Sequence, residues 1–347
     1  MSSHPPIDPE IAEALTGPDV SSPSLYPQEI LARRGSGEVD RDALTRGGAI
    51  TLTDMVAEGP TDNPEVPILV LRADGTTAPQ PGVVWIHGGG MIMGSHYGID
   101  QTLLDAVLLG YTVVSVGYRL APEYPYPAAV EDCYAAWCWV HRRAAELGID
   151  PEQLLIAGAS AGGGLAAGTT LLIRDRKAPL PSRQILFCPM LDDREITASA
   201  TELDGEALWD RNANRTGWSA YLGESRGSED VPIYAAPARA TDLSGLPPTF
   251  IDVGDVETFR DEDIDYAARL SRNQVSVELH VWPGGVHGFT SVAPQAALSR
   301  AAITARLGYL QRALATRSAD QTAPLEAVRQ GTTCPGADGI APEFASR

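Results

Sequence analysis

From Val83 to Val281 the chain repeats one pattern: a short β-branched run, a turn, then a stretch long enough to hold a helix. The runs are Val83–Ile86, Thr112–Val116, Leu154–Ala157, Gln184–Phe187, Thr249–Val253 and Val275–Val281, each bounded by turn residues. Spacers of that size are crossover connections, so these strands are predicted to run parallel. Two earlier runs, Ile50–Val56 and Val66–Arg72, lie close together and suit an antiparallel pair. The expected fold class is α/β, an eight-stranded mostly parallel sheet with helices on both faces. The continuously apolar Val83-Val84-Trp85-Ile86 fits a strand covered on both sides.

Two stretches break the alternation. Segment 1–48 is rich in Pro, Ser and Gly, with apolar residues at Ile11, Leu15, Leu25, Ile30 and Leu31. The section at about 189–248 carries Trp209, Trp218 and Tyr221 among many polar residues. Together they are expected to form a helical cap above the C-terminal edge of the sheet. That leaves 49–317 as the main domain and the Ala-, Thr-, Pro- and Gly-rich 318–347 as a disordered tail.

A formal net charge of −19, from 45 acidic against 26 basic side chains, repels phosphate backbones and anionic lipid. Nucleic-acid and membrane partners are therefore not expected. The cysteines Cys133, Cys138, Cys188 and Cys334 form no C-x-x-C pair and read as free thiols of a reducing compartment. Met1 to Asp8 lacks the basic and apolar regions of a secretory signal, and no apolar run approaches the roughly 18 residues of a membrane span. The expected location is cytoplasmic.

Chemistry concentrates at the ends of three strands. Gly158-Ala159-Ser160-Ala161-Gly162 follows Leu154–Ala157 and precedes a helical run from Gly163 to Arg174. A serine on so tight a strand-to-helix turn stands exposed, and the helix N-terminus favours negative charge beside it. Small neighbours two residues either side are needed to make the turn. His87-Gly88-Gly89-Gly90 follows Val83–Ile86. Without Cβ atoms, its backbone N–H groups can approach a substrate oxygen, and with the N–H of Ala161 they could form an oxyanion hole. A phosphate cradle would require a G-K-[ST] ending or a G-x-G-x-x-G spacing, and the loop has neither.

His287 comes just past the last strand and is the candidate base. His280 falls within that strand and reads as structural, while His87 is expected to order its own glycine loop. His4, His96 and His141 have no supporting context. For the acid, Asp252-Val253-Gly254-Asp255-Val256-Glu257 is followed by Asp261 and Glu262 at the start of a helical pattern. The last two suit the helix dipole and Asp252 belongs to the strand end, which leaves Asp255 and Glu257 open.

In combination these motifs resemble the hormone-sensitive lipase-like branch of the α/β-hydrolases. The resemblance runs from about Pro81 to Phe289. It rests on His87-Gly88-Gly89-Gly90, Tyr118-Arg119-Leu120-Ala121-Pro122-Glu123 with Pro125 and Pro127, the Ser160 elbow, and His287-Gly288-Phe289, in the family's order. Glu257-Thr258-Phe259-Arg260-Asp261-Glu262 matches the family's D/E-P-x-R-D-E-like segment, so the resemblance selects Glu257 as the acid. It also implies the cap, and a bracing role for Tyr118 to Pro127 beneath the oxyanion turn. Two positions depart from the pattern: Ala159, where relatives carry Asp or Thr, and Thr258, where proline is common.

The resulting expectation is a serine carboxylesterase acting on short- to medium-chain esters through Ser160, His287 and Glu257. Gly88, Gly89, Gly90 and Ala161 would supply the oxyanion hole, with no cofactor and no metal. An amide hydrolase with the same triad is the alternative, and a non-catalytic small-ligand binder on the same fold is the rival from another class. A homodimer is left open.

Overall fold

The computed structural model describes residues 4–320 apart from 18–19, 21, 35–39, 61–63 and 77–78. Its strands are β1 (Ile50–Ala57), β2 (Val66–Ala73), β3 (Gln80–Ile86), β4 (Thr112–Val116), β5 (Ile149–Ala159), β6 (Gln184–Phe187), β7 (Thr249–Val256) and β8 (Val277–Val286). They form one sheet in the order β1-β2-β4-β3-β5-β6-β7-β8. β2 pairs antiparallel with both β1 and β4, and every other pairing is parallel.

Three short helices precede the sheet: α1 (Pro9–Ala14), α2 (Ile30–Arg33) and α3 (Arg41–Thr45). The crossovers carry α4 (Gln101–Leu108), α5 (Ala128–Arg142) and α6 (Ala161–Asp175). After β6 come α7 (Ser199–Glu202) and α8 (Arg211–Leu222), then α9 (Arg260–Arg272), α10 (Phe289–Val292) and α11 (Ala297–Asp320).

The alternation of a strand divides the core in two. Val84 and Ile86 of β3, with Ile156 and Leu186, face a layer that includes residues of α5, α6 and α9. Val83 and Trp85, with Leu155, Phe187 and Phe250, face α4 and α11. Both faces of the central strands are thereby buried, which explains why Val83–Ile86 of β3 reads as an unbroken apolar run.

Several boundaries differ from the sequence reading: β3 begins at Gln80, β5 spans Ile149–Ala159 and β7 runs to Val256. β8 was expected at Val275–Val281, ending at the Pro283-Gly284-Gly285 turn signal, yet it continues to Val286. The register shifts between Gly254 and Val256, and the Gly284 N–H donates to Asp255 Oδ1 at 2.6 Å. A bulge therefore absorbs residues that would otherwise end the strand. Similarly, α11 continues to Asp320, past the expected start of the tail, and 321–347 lie outside the described residues.

The N-terminal segment and section 189–248 touch one another. The Ser24 hydroxyl donates to Asp210 at 2.5 Å, Thr216 Oγ1 donates to the Leu25 carbonyl at 2.7 Å, and His4 pairs with Glu206 at 2.6 Å. Trp218 and Tyr221 are fully buried in the larger core cluster, so α8 is part of the fold's interior on that side.

Candidate active site

Ser160 sits between β5 and α6 with φ 57° and ψ −125°, a conformation that a non-glycine residue adopts only under constraint. The constraint is close packing. A Cβ on Gly158 would lie 2.1 Å from the Gly162 carbonyl oxygen, and one on Gly162 would lie 2.1 Å from that of Ile86. The turn is pinned by the Ser160 N–H donating to Phe187 O at 2.8 Å and by Gly164 and Met190 N–H donating to Ser160 O. Adjacent Ala161 is the first residue of α6, where an N–H has no acceptor inside the helix.

His287 follows β8 and reaches back over this turn. Its Nε2 lies 3.0 Å from Ser160 Oγ, and its Nδ1 lies 2.9 and 3.0 Å from the two oxygens of Glu257. Ser160 is 7% and Glu257 1% exposed. An ionised carboxylate can only accept, so Nδ1 carries the proton toward Glu257 and Nε2 is left to accept from the serine hydroxyl. Burial alone would hold the imidazole neutral, but the Glu257 charge together with Cys188 outweighs it, and His287 is raised well above the ordinary histidine value. Asp255, the other candidate acid, is occupied elsewhere by the Gly284 N–H in the β8 bulge.

The His87–Gly90 loop lies opposite. Gly89 and Gly90 take φ +114° and +62°, and a Cβ on Gly89 would strike the Met93 carbonyl at 2.3 Å. Gly88 packs on the elbow, 3.0 Å from the Ala159 carbonyl at its Cβ position. His87 points away from the serine. Its ring stacks on Tyr118 with centroids 4.2 Å apart, Nδ1 bonds the Gly88 carbonyl, and burial lowers it to about 4. It is therefore a neutral support of the loop. The Tyr118 hydroxyl donates to the His87 carbonyl at 2.9 Å, and Ala121 N–H donates to Met91 O at 2.9 Å. Arg34, from the N-terminal segment, joins Ile92 O, Ala121 O and Glu123.

The acidic run around Glu257 has tertiary partners as well as a helix dipole to serve. Asp261 accepts from Ser199 N–H, and Glu262 accepts from Leu191 and Asp192 N–H at 2.7 and 3.1 Å. Asp252 is fully buried and pairs with Arg306 of α11 at 2.8 Å. His280 bonds Glu278 and stacks on Trp282 with centroids 5.2 Å apart, within the strand.

Two participants escaped sequence reasoning. Cys188 was read only as an incidental thiol, yet its Sγ lies with Glu257 and His287 ligand atoms inside a 4.8 Å group. Arg306 lines the same small cavity of about 80 Å³ as Ser160, Cys188, Asp252 and His287. Neither had a local signal, because α11 and the end of β6 reach the site only through the crossovers. Cys133, Cys138 and Cys188 are buried, and Cys334 lies outside the described residues.

All these groups gather where β5, β6, β7 and β8 end, the edge at which open parallel sheets bind ligands. The family described as having the alpha/beta hydrolase fold matches residues 83–291, more than half of the chain. The chain belongs to this family. It resembles the carboxylesterase NlhH of Mycobacterium tuberculosis, with 39% identity over 67% of this chain and 74% of that one. It also resembles the esterase LipI of the same organism, with 36% identity over 67% and 77%.

Among solved structures it is similar to a bacterial heroin esterase, with TM-score 0.81, 41% identity, and 89% and 98% of the two chains covered. Brefeldin A esterase, described as a bacterial homologue of human hormone-sensitive lipase, superposes with TM-score 0.74 and 27% identity over 90% and 96%. This α/β-hydrolase is accordingly a carboxylic ester hydrolase of the hormone-sensitive lipase-like branch. Among the described residues, no helix is long and apolar enough to cross a membrane.

Proposed function

We propose that this carboxylesterase cleaves short- to medium-chain acyl esters by acyl transfer through Ser160, His287 and Glu257. The observation that carries the reading is the unbroken hydrogen-bonded chain from Ser160 Oγ through both ring nitrogens of His287 to Glu257. In the first half-reaction Ser160 Oγ attacks the ester carbonyl while Nε2 takes its proton. Glu257 keeps the tautomer and stabilises the imidazolium. Negative charge on the carbonyl oxygen is met by N–H groups of Gly89, Gly90 and Ala161, with Gly88 close by. The imidazolium then protonates the departing alcohol. Water repeats the steps on the acyl-enzyme and releases the acid.

The acyl length is argued from the cap: the Trp209 ring lies 6.2 Å from that of His287, and Ser24 of the N-terminal segment bonds the neighbouring Asp210, which supports a finite acyl pocket. Hydrolysis of chromogenic esters from acetyl to palmitoyl tests both parts. Turnover is expected to peak at short chains and to fall by roughly 10⁴-fold or more in Ser160→Ala. Retained activity in folded Ser160→Ala would reject the nucleophile, and preference for palmitoyl would reject the substrate class.

A further inference from the structure

Trp209 lies in the section between β6 and β7, and its indole meets both halves of the site. A Cβ on Gly90 would fall 2.5 Å from Trp209 Cη2 and 2.9 Å from Cζ2, so the ring edge lies flush against the glycine loop. The indole centroid is 6.2 Å from the imidazole of His287, tilted by 41°. Nε1 is two bonds from Cζ2, on the edge that passes Gly90. That N–H is buried and has no acceptor among the described residues. A buried donor with no partner is uncommon in a folded protein.

The ring is held firmly in this position. Thr258, next to the acid Glu257, donates its hydroxyl to the Trp209 carbonyl at 2.7 Å, which gives this departure from the family's proline a physical role. On the other side Asp210 accepts from the N–H groups of Gly205, Asn212 and Ala213, each at 2.9 Å, and from Ser24. Trp218 and Tyr221 also carry buried unpartnered donors, but their rings pack on each other and on Tyr126, away from the triad.

We infer that Trp209 is a specificity-determining residue whose indole N–H selects esters bearing a second oxygen acceptor beside the scissile group. The inference rests on the Ser160–His287 reading for where the ester sits. The acceptor can belong to the acyl or to the alcohol part. Two isosteric pairs distinguish them: p-nitrophenyl methoxyacetate against butyrate, and 2-methoxyethyl acetate against butyl acetate.

For each pair the ratio of kcat/KM is measured in wild type and in Trp209→Phe, which keeps an aromatic wall but has no donor. A loss of one hydrogen bond predicts that the ether-over-methylene ratio falls roughly three- to tenfold in one pair. Intrinsic reactivity cancels between the two proteins. The pair that responds identifies the side of the ester. Unchanged ratios in both pairs would overturn the inference while leaving turnover, and hence the triad, intact. Should Trp209→Phe not fold, wild type alone decides: in neither pair exceeding the ether preference of hydroxide-catalysed hydrolysis would equally overturn it.

Discussion

His287 carries two opposing influences, and their balance sets the acid limb of activity. Burial favours the neutral ring, while the Glu257 carboxylate and Cys188 favour the imidazolium, with the net effect upward from 6.5. A base must be neutral to take the serine proton, so kcat/KM is expected to rise with pH and to reach half-maximum above 6.5. In Glu257→Gln the carboxylate's part of the upward pull is lost while burial and Cys188 remain, so the midpoint should move below that of wild type and the rate should drop by roughly 10³- to 10⁴-fold. Asp255→Ala should cost far less, because Asp255 serves the β8 bulge. A midpoint unmoved by Glu257→Gln would remove Glu257 from the acid's role. Spacing along the chain left these two carboxylates level. What separates them is the shift in register between Gly254 and Val256, which turns one toward Gly284 and the other toward His287.

At the scale of elements, α9 carries a cost that the sequence does not announce. Its first turn reads as ordinary dipole compensation by Asp261 and Glu262, and Asp263 follows them. Asp263 is instead fully buried, neither oxygen has a hydrogen-bond partner among the described residues, and burial raises its carboxyl well above the usual range. Between the ordinary carboxyl value near 4 and the raised one, the unfolded chain releases this proton and the folded one keeps it. The folded state then binds more protons, so stability falls as pH rises, by about 1.4 kcal/mol per unit. Asp263→Asn removes that slope. Chemical denaturation should find the variant's advantage over wild type widening as pH rises above about 4. A constant difference would show that Asp263 ionises normally.

The parallel order of the central strands was legible, because short apolar runs with helix-length spacers leave few alternatives. The bulge in β8 was not, since Pro283-Gly284-Gly285 carries the same composition whether it ends a strand or bends one. Nor was the burial of Trp218 and Tyr221, whose polar neighbours suggested a looser lid.

Over the whole molecule, distant parts of the chain meet at one edge. Arg34 holds Ile92, just past the His87–Gly90 loop, and Arg306 places α11 beneath the strand ends. These contacts join residues 58 and 54 positions apart in sequence, where no local pattern could foretell them. The formal net charge of −19 works against this assembly by self-repulsion. Raising salt from about 10 to about 200 mM shortens the Debye length from roughly 30 to under 10 Å, so thermal scans should give a higher Tm at the higher salt. An unchanged or lower Tm would mean that local ion pairs, such as Arg119–Asp132 and Arg239–Asp193, offset the repulsion.

The central claim is that His287 activates Ser160 for covalent attack. Its most direct test is reaction with a fluorophosphonate, followed by intact-mass measurement and peptide mapping of wild type and His287→Ala. The account predicts a single adduct on Ser160 in wild type and labelling slowed by at least about 10³-fold in the variant. An adduct on another residue, or equal labelling in folded His287→Ala, would contradict it.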